Sequence, residues 1–171
     1  LLEYRVVGDS DGQVRVSPTI FARKGSGSYY THDDLVQLLI RQTVGPLLDE
    51  RADAFQEQVE ALGRLRSPKP QRLRDLQDHD PAAAILELKI CDPAMGSGHF
   101  LVSLVDYLAD QILERMADST ARVHWADAAE PYVSPLARRI ADIRARILAS
   151  SQAHGWTVDP AQLDDRHIVR R

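Results

Sequence analysis

The 171-residue chain has no asparagine, a single cysteine (Cys91), only three lysines (Lys24, Lys69, Lys89) and just 6% aromatic residues. One cysteine excludes a disulfide framework and any zinc site built on several thiolates. The histidines (His32, His79, His99, His124, His154, His167) show no metal-ligand spacing, so no metal is expected. No run approaches the roughly 18 apolar residues of a membrane span, so no membrane partner is expected. No basic start leads into a short apolar segment of the secretory kind. These absences point to a cytoplasmic protein. With 25 acids against 21 bases the formal charge is −4, which gives no global reason to expect a polyanionic partner, although local basic patches can still serve one. Nearly all the bases are arginine, a bias typical of GC-rich bacterial genomes.

What is present fits one ordinary globular domain. The chain starts on Leu1 and reads as a piece of something larger. Residues 1–22 are extended in character: Leu2–Val7 and the alternating Val14 and Val16 flank the turn signal Gly8-Asp9-Ser10-Asp11-Gly12, which predicts a hairpin. Residues 23–62 open on a Gly/Ser loop ending in Tyr29-Tyr30-Thr31-His32. Thr31 or Asp33 can cap a following helix that carries Leu35, Leu38 and Leu39. Gly45-Pro46 kinks or restarts it, and a second helical stretch runs from Leu48 to Leu62.

Residues 63–82 read as a basic linker with Pro68, Pro70 and Pro81. Arg64, Arg66, Lys69, Arg72 and Arg74 precede its first acid, Asp75. This is either a solvated surface loop or a loop that contacts nucleic-acid phosphates. Residues 83–171 start an α/β pattern. Ala84–Cys91 reads as a buried strand, with Cys91 as a core filler. A glycine loop follows, and then a long helix with Phe100, Leu101, Leu104, Leu108, Ile112 and Met116 at helical spacing. Ser134-Pro135 predicts an N-cap followed by proline at the first helical position, with Leu136, Ile140, Ile143 and Ile147 on one face. Asp159-Pro160 predicts the start of a last short helix.

The loop Asp92-Pro93-Ala94-Met95-Gly96-Ser97-Gly98-His99-Phe100 carries the most chemistry. Gly96 and Gly98 permit positive φ and close backbone approach to a ligand. Amides freed at the helix start suit a carboxylate or phosphate, and Asp92 can accept from an ammonium or hydroxyl. No lysine follows the glycines, which excludes a P-loop. Leu101 stands where a dinucleotide fingerprint needs its third glycine. A ligand with an amino-acid end and a nucleoside end remains, and so does a tight turn with no ligand.

The whole string, with Leu101, resembles the first motif of adenine-specific DNA methyltransferases of the restriction–modification or phage-resistance type. Gly27-Ser28-Tyr29-Tyr30-Thr31-His32 stands where that family carries its upstream cofactor motif, although His32 replaces the family proline. The resemblance covers Arg23 to about Leu108. It implies an α/β fold: a partial Rossmann-like S-adenosylmethionine-dependent methyltransferase core with added helices. It implies S-adenosyl-L-methionine as cofactor, bound by Tyr29, Tyr30, Thr31, Asp92, Pro93, Ala94, Gly96, Ser97, Gly98 and Phe100. An aromatic face also suits a sulfonium cation. The whole protein would act on double-stranded DNA, alongside possible restriction or defence subunits.

The family's catalytic Asn/Asp-Pro-Pro-Tyr/Phe does not occur; the nearest string is Glu130-Pro131-Tyr132. No catalytic residue is therefore assigned within the chain. The expectation is an amino-terminal fragment that is inactive alone. The alternative is a non-catalytic, methyltransferase-like DNA-binding or assembly module.

Overall fold

Tyr4–Gly8 (β1) and Val14–Pro18 (β2) pair antiparallel with Val6 opposite Val16, so the predicted hairpin is present. The computed structural model describes residues 4–8, 13–18, 31–160 and 163–170. The chain divides into two compact units, residues 1–35 and 36–171. Every named element beyond residue 35 among the described residues is a helix.

Helix α1 (Asp33–Thr43) opens on two acids, Asp33 and Asp34, placed to favour the helix dipole. His32 takes the capping position that Thr31 or Asp33 was expected to fill. Its carbonyl accepts from the Leu35 amide (3.0 Å) and its Nδ1 from the Asp34 amide (3.4 Å). One residue, Val44, separates α1 from α2 (Gly45–Gly63), whose first turn contains Pro46. Proline has no amide to donate, so it fits a helix start and interrupts a longer one. Helix α2 buries Leu48, Ala52, Phe55 and Val59, an i, i+4, i+7, i+11 stripe.

The stretch expected to be a linker contains a helix, α3 (Lys69–Gln77), which packs against α2 and buries Leu76 and Arg72. The strand expected at Ala84–Cys91 is not one. Helix α4 (Pro81–Ile85) occupies its start, helical turns continue to Leu88, and Lys89–Cys91 are irregular and exposed. The physical reason is local. Asp80 caps the segment, Pro81 pre-sets the first helical φ, and three alanines follow with the strongest helix preference of any residue. A buried parallel strand needs ladder partners on its edges, and no parallel sheet exists among the described residues. Cys91 is accordingly exposed rather than a core filler.

Helix α5 (His99–Arg122) is the longest element, about 36 Å at 1.5 Å per residue. Its buried Leu104 and Ile112 share a core cluster with Val36, Ile40, Leu48 and Ile85. A second cluster joins Phe55, Val59, Leu76, Val123 and Tyr132. Helix α6 (Pro135–Ala153) starts on the predicted Ser134 cap, whose Oγ accepts from the Leu136 amide at 3.3 Å. A helical turn begins at the expected Asp159-Pro160, with the Leu163 amide donating to the Pro160 carbonyl at 3.3 Å; residues 161–162 lie outside the described residues, and the last helix, α7 (Asp165–Val169), is capped by Asp164. Arginines tie it down: Arg166 to Asp110 of α5 (Nη2 to Oδ2, 2.8 Å), Arg170 to Asp106, and Arg144 of α6 to Asp165. No helix among the described residues is long and apolar enough to cross a membrane.

Two helix starts share one buried carboxyl group. Asp80, 2% exposed, accepts at Oδ1 from the Ala83 amide (2.8 Å) and the Ser134 hydroxyl (3.1 Å), and at Oδ2 from the Tyr132 hydroxyl (2.8 Å). The Tyr132 ring rests on Phe55, with centroids 5.4 Å apart and planes tilted by 55°. Burial first, and the neighbouring Asp80 second, push the Tyr132 phenol well above its ordinary range. Its folded-state value therefore exceeds the unfolded value of about 10. Stability tied to the neutral phenol is intact below about pH 10 and declines as pH rises above it.

Tyr132→Phe leaves one Asp80 oxygen without its buried donor and is expected to cost about 2 kcal/mol. Asp80→Ala removes the α4 cap and strands two hydroxyls, for a loss of about 3 kcal/mol or more. Urea unfolding at neutral pH measures both losses. Repeated above pH 10, it should show that Tyr132→Phe flattens the alkaline decline of the parent protein.

Candidate cofactor loop and basic surface

The glycine loop connects the coil after α4 to the start of α5. Its turn is built by short-range contacts. Asp92 Oδ1 accepts from the Ala94 amide (2.9 Å), and the Gly98 amide donates to the Met95 carbonyl (2.9 Å). Gly96 sits at φ +56 and Gly98 at φ +80, both in the left-handed region that favours glycine. A Cβ at either position meets nothing closer than 3.9 Å, so dihedral strain and not crowding selects glycine there. This leaves the inner face of the turn open to a ligand.

Gly98 brings no side chain to cap α5, and the Val102 amide donates to the Gly98 carbonyl at 2.9 Å. Amides before Val102 lie in the turn where helices leave donors for external acceptors. Asp92 is half-buried, and its Oδ2 has no partner among the described residues. The arrangement therefore offers one carboxylate oxygen beside a positively polarised helix start. That pairing suits a zwitterion: an ammonium at the acid and a carboxylate at the amides.

The structure brings together only part of the expected set. Asp92, Pro93, Ala94, Gly96, Ser97 and Gly98 form one exposed to half-buried turn, and Phe100 behind them is half-buried against the core. Thr31 is exposed ahead of α1, and Tyr29 and Tyr30 lie outside the described residues. One turn along α5, a hollow of about 260 Å³ is lined by Leu101, Val102, Val105, Asp106 and Arg170. Sequence reasoning did not find this apolar shelf, because Arg170 reaches it only through the tertiary placement of α7. No grouping of three or more His, Cys, Asp or Glu side chains among the described residues suits a metal ion.

The five basic residues expected to contact DNA do not form one set. Arg72 is 8% exposed. Its Nη1 donates to the Leu62 and Gly63 carbonyls (3.0 and 3.3 Å), and its guanidinium lies 4.7 Å from the centre of the Trp125 ring. It thus neutralises the negative end of α2 and stacks on an indole. That indole is fixed in turn by its Nε1 donating to the Val59 carbonyl (2.9 Å). Gly63 is glycine for the same reason: a Cβ there would stand 2.9 Å from Trp125 Cδ1. Lys69 pairs with Asp127 at 2.8 Å and Arg74 donates to Gln71 at 2.9 Å. Arg64 lies near Glu60 at 3.5 Å, and Arg66 is exposed. The exposed arginines Arg64, Arg66 and Arg74 remain available to a phosphate backbone, while Arg72 is structural.

No known family's sequence model matches the chain. No solved structure matches it. The chain is similar to a protein of Methanocaldococcus jannaschii that carries the provisional name type II restriction enzyme and methyltransferase. The two are 29% identical over 106 residues, covering 55% of this chain and 9% of that protein. The chain thus spans under a tenth of the length of that relative.

Arg72→Ala should lower stability by about 2 kcal/mol, the scale of a lost charged hydrogen bond. Arg66→Ala and Arg74→Ala should stay within about 0.5 kcal/mol of the parent, as surface substitutions do. Parallel urea titrations of the three variants separate the structural arginine from the exposed ones.

Proposed function

We propose that this chain is the cofactor-binding part of a DNA methyltransferase of the restriction–modification type, one that methylates the amino group of adenine. The observation that carries the reading is the Asp92–Gly98 turn. It joins two left-handed glycines, a half-buried acid with an uncommitted oxygen and an uncapped helix start. Similarity to a protein named as restriction enzyme and methyltransferase supports the same reading.

S-adenosyl-L-methionine supplies an electrophilic methyl group when bound. In this proposal Asp92 accepts from its ammonium or a ribose hydroxyl, and the amides at the start of α5 receive its carboxylate. The resemblance also assigns Tyr29, Tyr30 and Thr31 to the cofactor, and of these Tyr29 and Tyr30 lie outside the described residues. The positive φ at Gly96 and Gly98 favours glycine, whose lack of a Cβ leaves the ligand's path clear of side chains. The chain holds the cofactor, and the adenine-binding Asn/Asp-Pro-Pro-Tyr/Phe belongs to the remainder of a longer protein. The target base must leave the duplex to reach such a site. Arg64, Arg66 and Arg74 supply contacts to the phosphate backbone that carry no sequence information.

The fold proposal accompanies the functional one. In a complete Rossmann-like core, Ala84–Cys91 pairs as a strand with parallel neighbours along its edges, and helices cover its faces. Leu86 and Ile90 are 51% and 41% exposed in the present arrangement, which supports a segment with apolar surface still to bury.

The test uses the longer protein that carries this chain together with the tetrapeptide. Calorimetric titration with S-adenosyl-L-methionine should show binding that Asp92→Ala weakens at least about tenfold, the scale of one charged hydrogen bond. Gly98→Ala should weaken it as well, because a side chain at φ +80 strains the turn. Transfer of labelled methyl groups to adenine in duplex DNA should fall in step. Equal cofactor binding by Asp92→Ala would overturn the assignment. Retained duplex binding without any cofactor binding would favour the non-catalytic module.

A further inference from the structure

A groove of about 890 Å³ lies between α6 and the residues Trp156, Val158, Leu163, His167 and Ile168, and none of the glycine-loop residues is among its described lining. Its floor is apolar, formed by Ile143, Ile147, Val158 and Ile168. Trp156 stands at the rim, 67% exposed. The position of this indole is set by the end of α6. Gly155 turns the chain at φ +69, and the Trp156 amide donates to the Ser151 carbonyl at 2.9 Å. The ring then lies against His154, with centroids 5.2 Å apart and planes 30° apart. An indole so exposed contributes little to folding, since its apolar area stays in water.

The charge around the groove has one sign at its lining. Among the described residues that line it, Arg146 and His167 are basic and none is a carboxylate. Helix α6 carries Arg138, Arg139, Arg144 and Arg146 against a single acid, Asp142. Arg144 is consumed by α7, where it donates to the Leu163 carbonyl and pairs with Asp165. Arg139 and Arg146 are seven residues apart, so they fall on the same side of the helix, and both are exposed. Across the groove, His167 commits Nδ1 to Asp164 at 2.8 Å, which leaves Nε2 for a ligand.

We propose that this groove binds unpaired nucleotides of a nucleic-acid strand. A base stacks on Trp156, and the adjoining phosphates lie along Arg139 and Arg146. A flat aromatic platform beside a cationic track is the combination that single strands use, because every base has a π-face and every linkage a negative charge. A duplex keeps its bases stacked on one another and cannot offer one to the indole. An apolar peptide helix would be served by the floor but has no use for a lip on which Arg139 and Arg146 flank and outnumber the one exposed carboxylate of their helix, Asp142. The inference rests on the groove alone and does not require the glycine loop to bind a cofactor.

The experiment titrates the 171-residue chain into a fluorescein-labelled oligothymidylate of roughly 12 nucleotides at low salt, read by anisotropy. Binding is expected, with quenching of Trp156 emission. Trp156→Ala should weaken it about tenfold or more. Arg139→Glu with Arg146→Glu should weaken it similarly and flatten its salt dependence. A blunt duplex of the same length should bind more weakly and without dependence on Trp156. Absence of single-strand binding, or binding unchanged in both variants, overturns the proposal. So does capture of a labelled amphipathic peptide in place of the oligonucleotide. If Trp156→Ala fails to fold by circular dichroism, the double arginine variant decides, since both positions are exposed.

Discussion

The helical unit depends on one buried carboxyl group. An aspartate at a helix start is ordinarily a local device, satisfying an amide two or three residues ahead. Asp80 does this for α4, but at 2% exposure it has no water to accept from with its remaining capacity. A buried acceptor without donors is costly, so Tyr132 and Ser134 must come to it from more than fifty residues away. Ser134 is itself the cap of α6. The starts of two helices are thereby tied to one carboxyl group, with all of α5 between them in sequence.

The same residue explains why α4 exists at all. Ile85, Leu88 and Ile90 have the apolar character of a strand, yet Asp80-Pro81 followed by alanines nucleates a helix in their place. Local capping and propensity act within the segment itself. A parallel strand draws its stability from neighbours, and among the described residues no such neighbour exists. The competition ends at Leu88, after which the chain is irregular until the loop. Exposed Leu86, Ile90 and Met95 mark where apolar surface is left uncovered around the candidate cofactor turn.

Arginine shows how the same residue type divides by environment. Composition alone makes residues 64–74 a uniform basic stretch. Burial separates Arg72, which ends α2 and stacks on Trp125, from its neighbours at the surface. Without Arg72 the carbonyls of Leu62 and Gly63 would lose their guanidinium donor, and Leu62 would keep backbone donors alone. Elsewhere arginine works between elements, with Arg144, Arg166 and Arg170 fastening a five-residue α7 that has only Ile168 fully inside.

Much of the architecture was legible in the residues because it rests on short-range chemistry. The hairpin turn signal, the break at Gly45-Pro46, the Ser134-Pro135 start of α6 and the apolar stripes of α2 and α5 are each decided within about a turn of their own residues. So is the candidate turn, where Gly96 and Gly98 adopt the backbone that only glycine takes readily. What the sequence could not decide was partnership. Whether Ala84–Cys91 is helix or strand depends on which neighbours cover it. Whether Arg72 meets DNA or a helix end depends on where Trp125 is placed. Whether Asp80 is a surface cap or a buried hub depends on Tyr132 and Ser134 arriving together. Those outcomes belong to tertiary structure, because the cost of burying a polar group is set by partners that sequence proximity does not reveal.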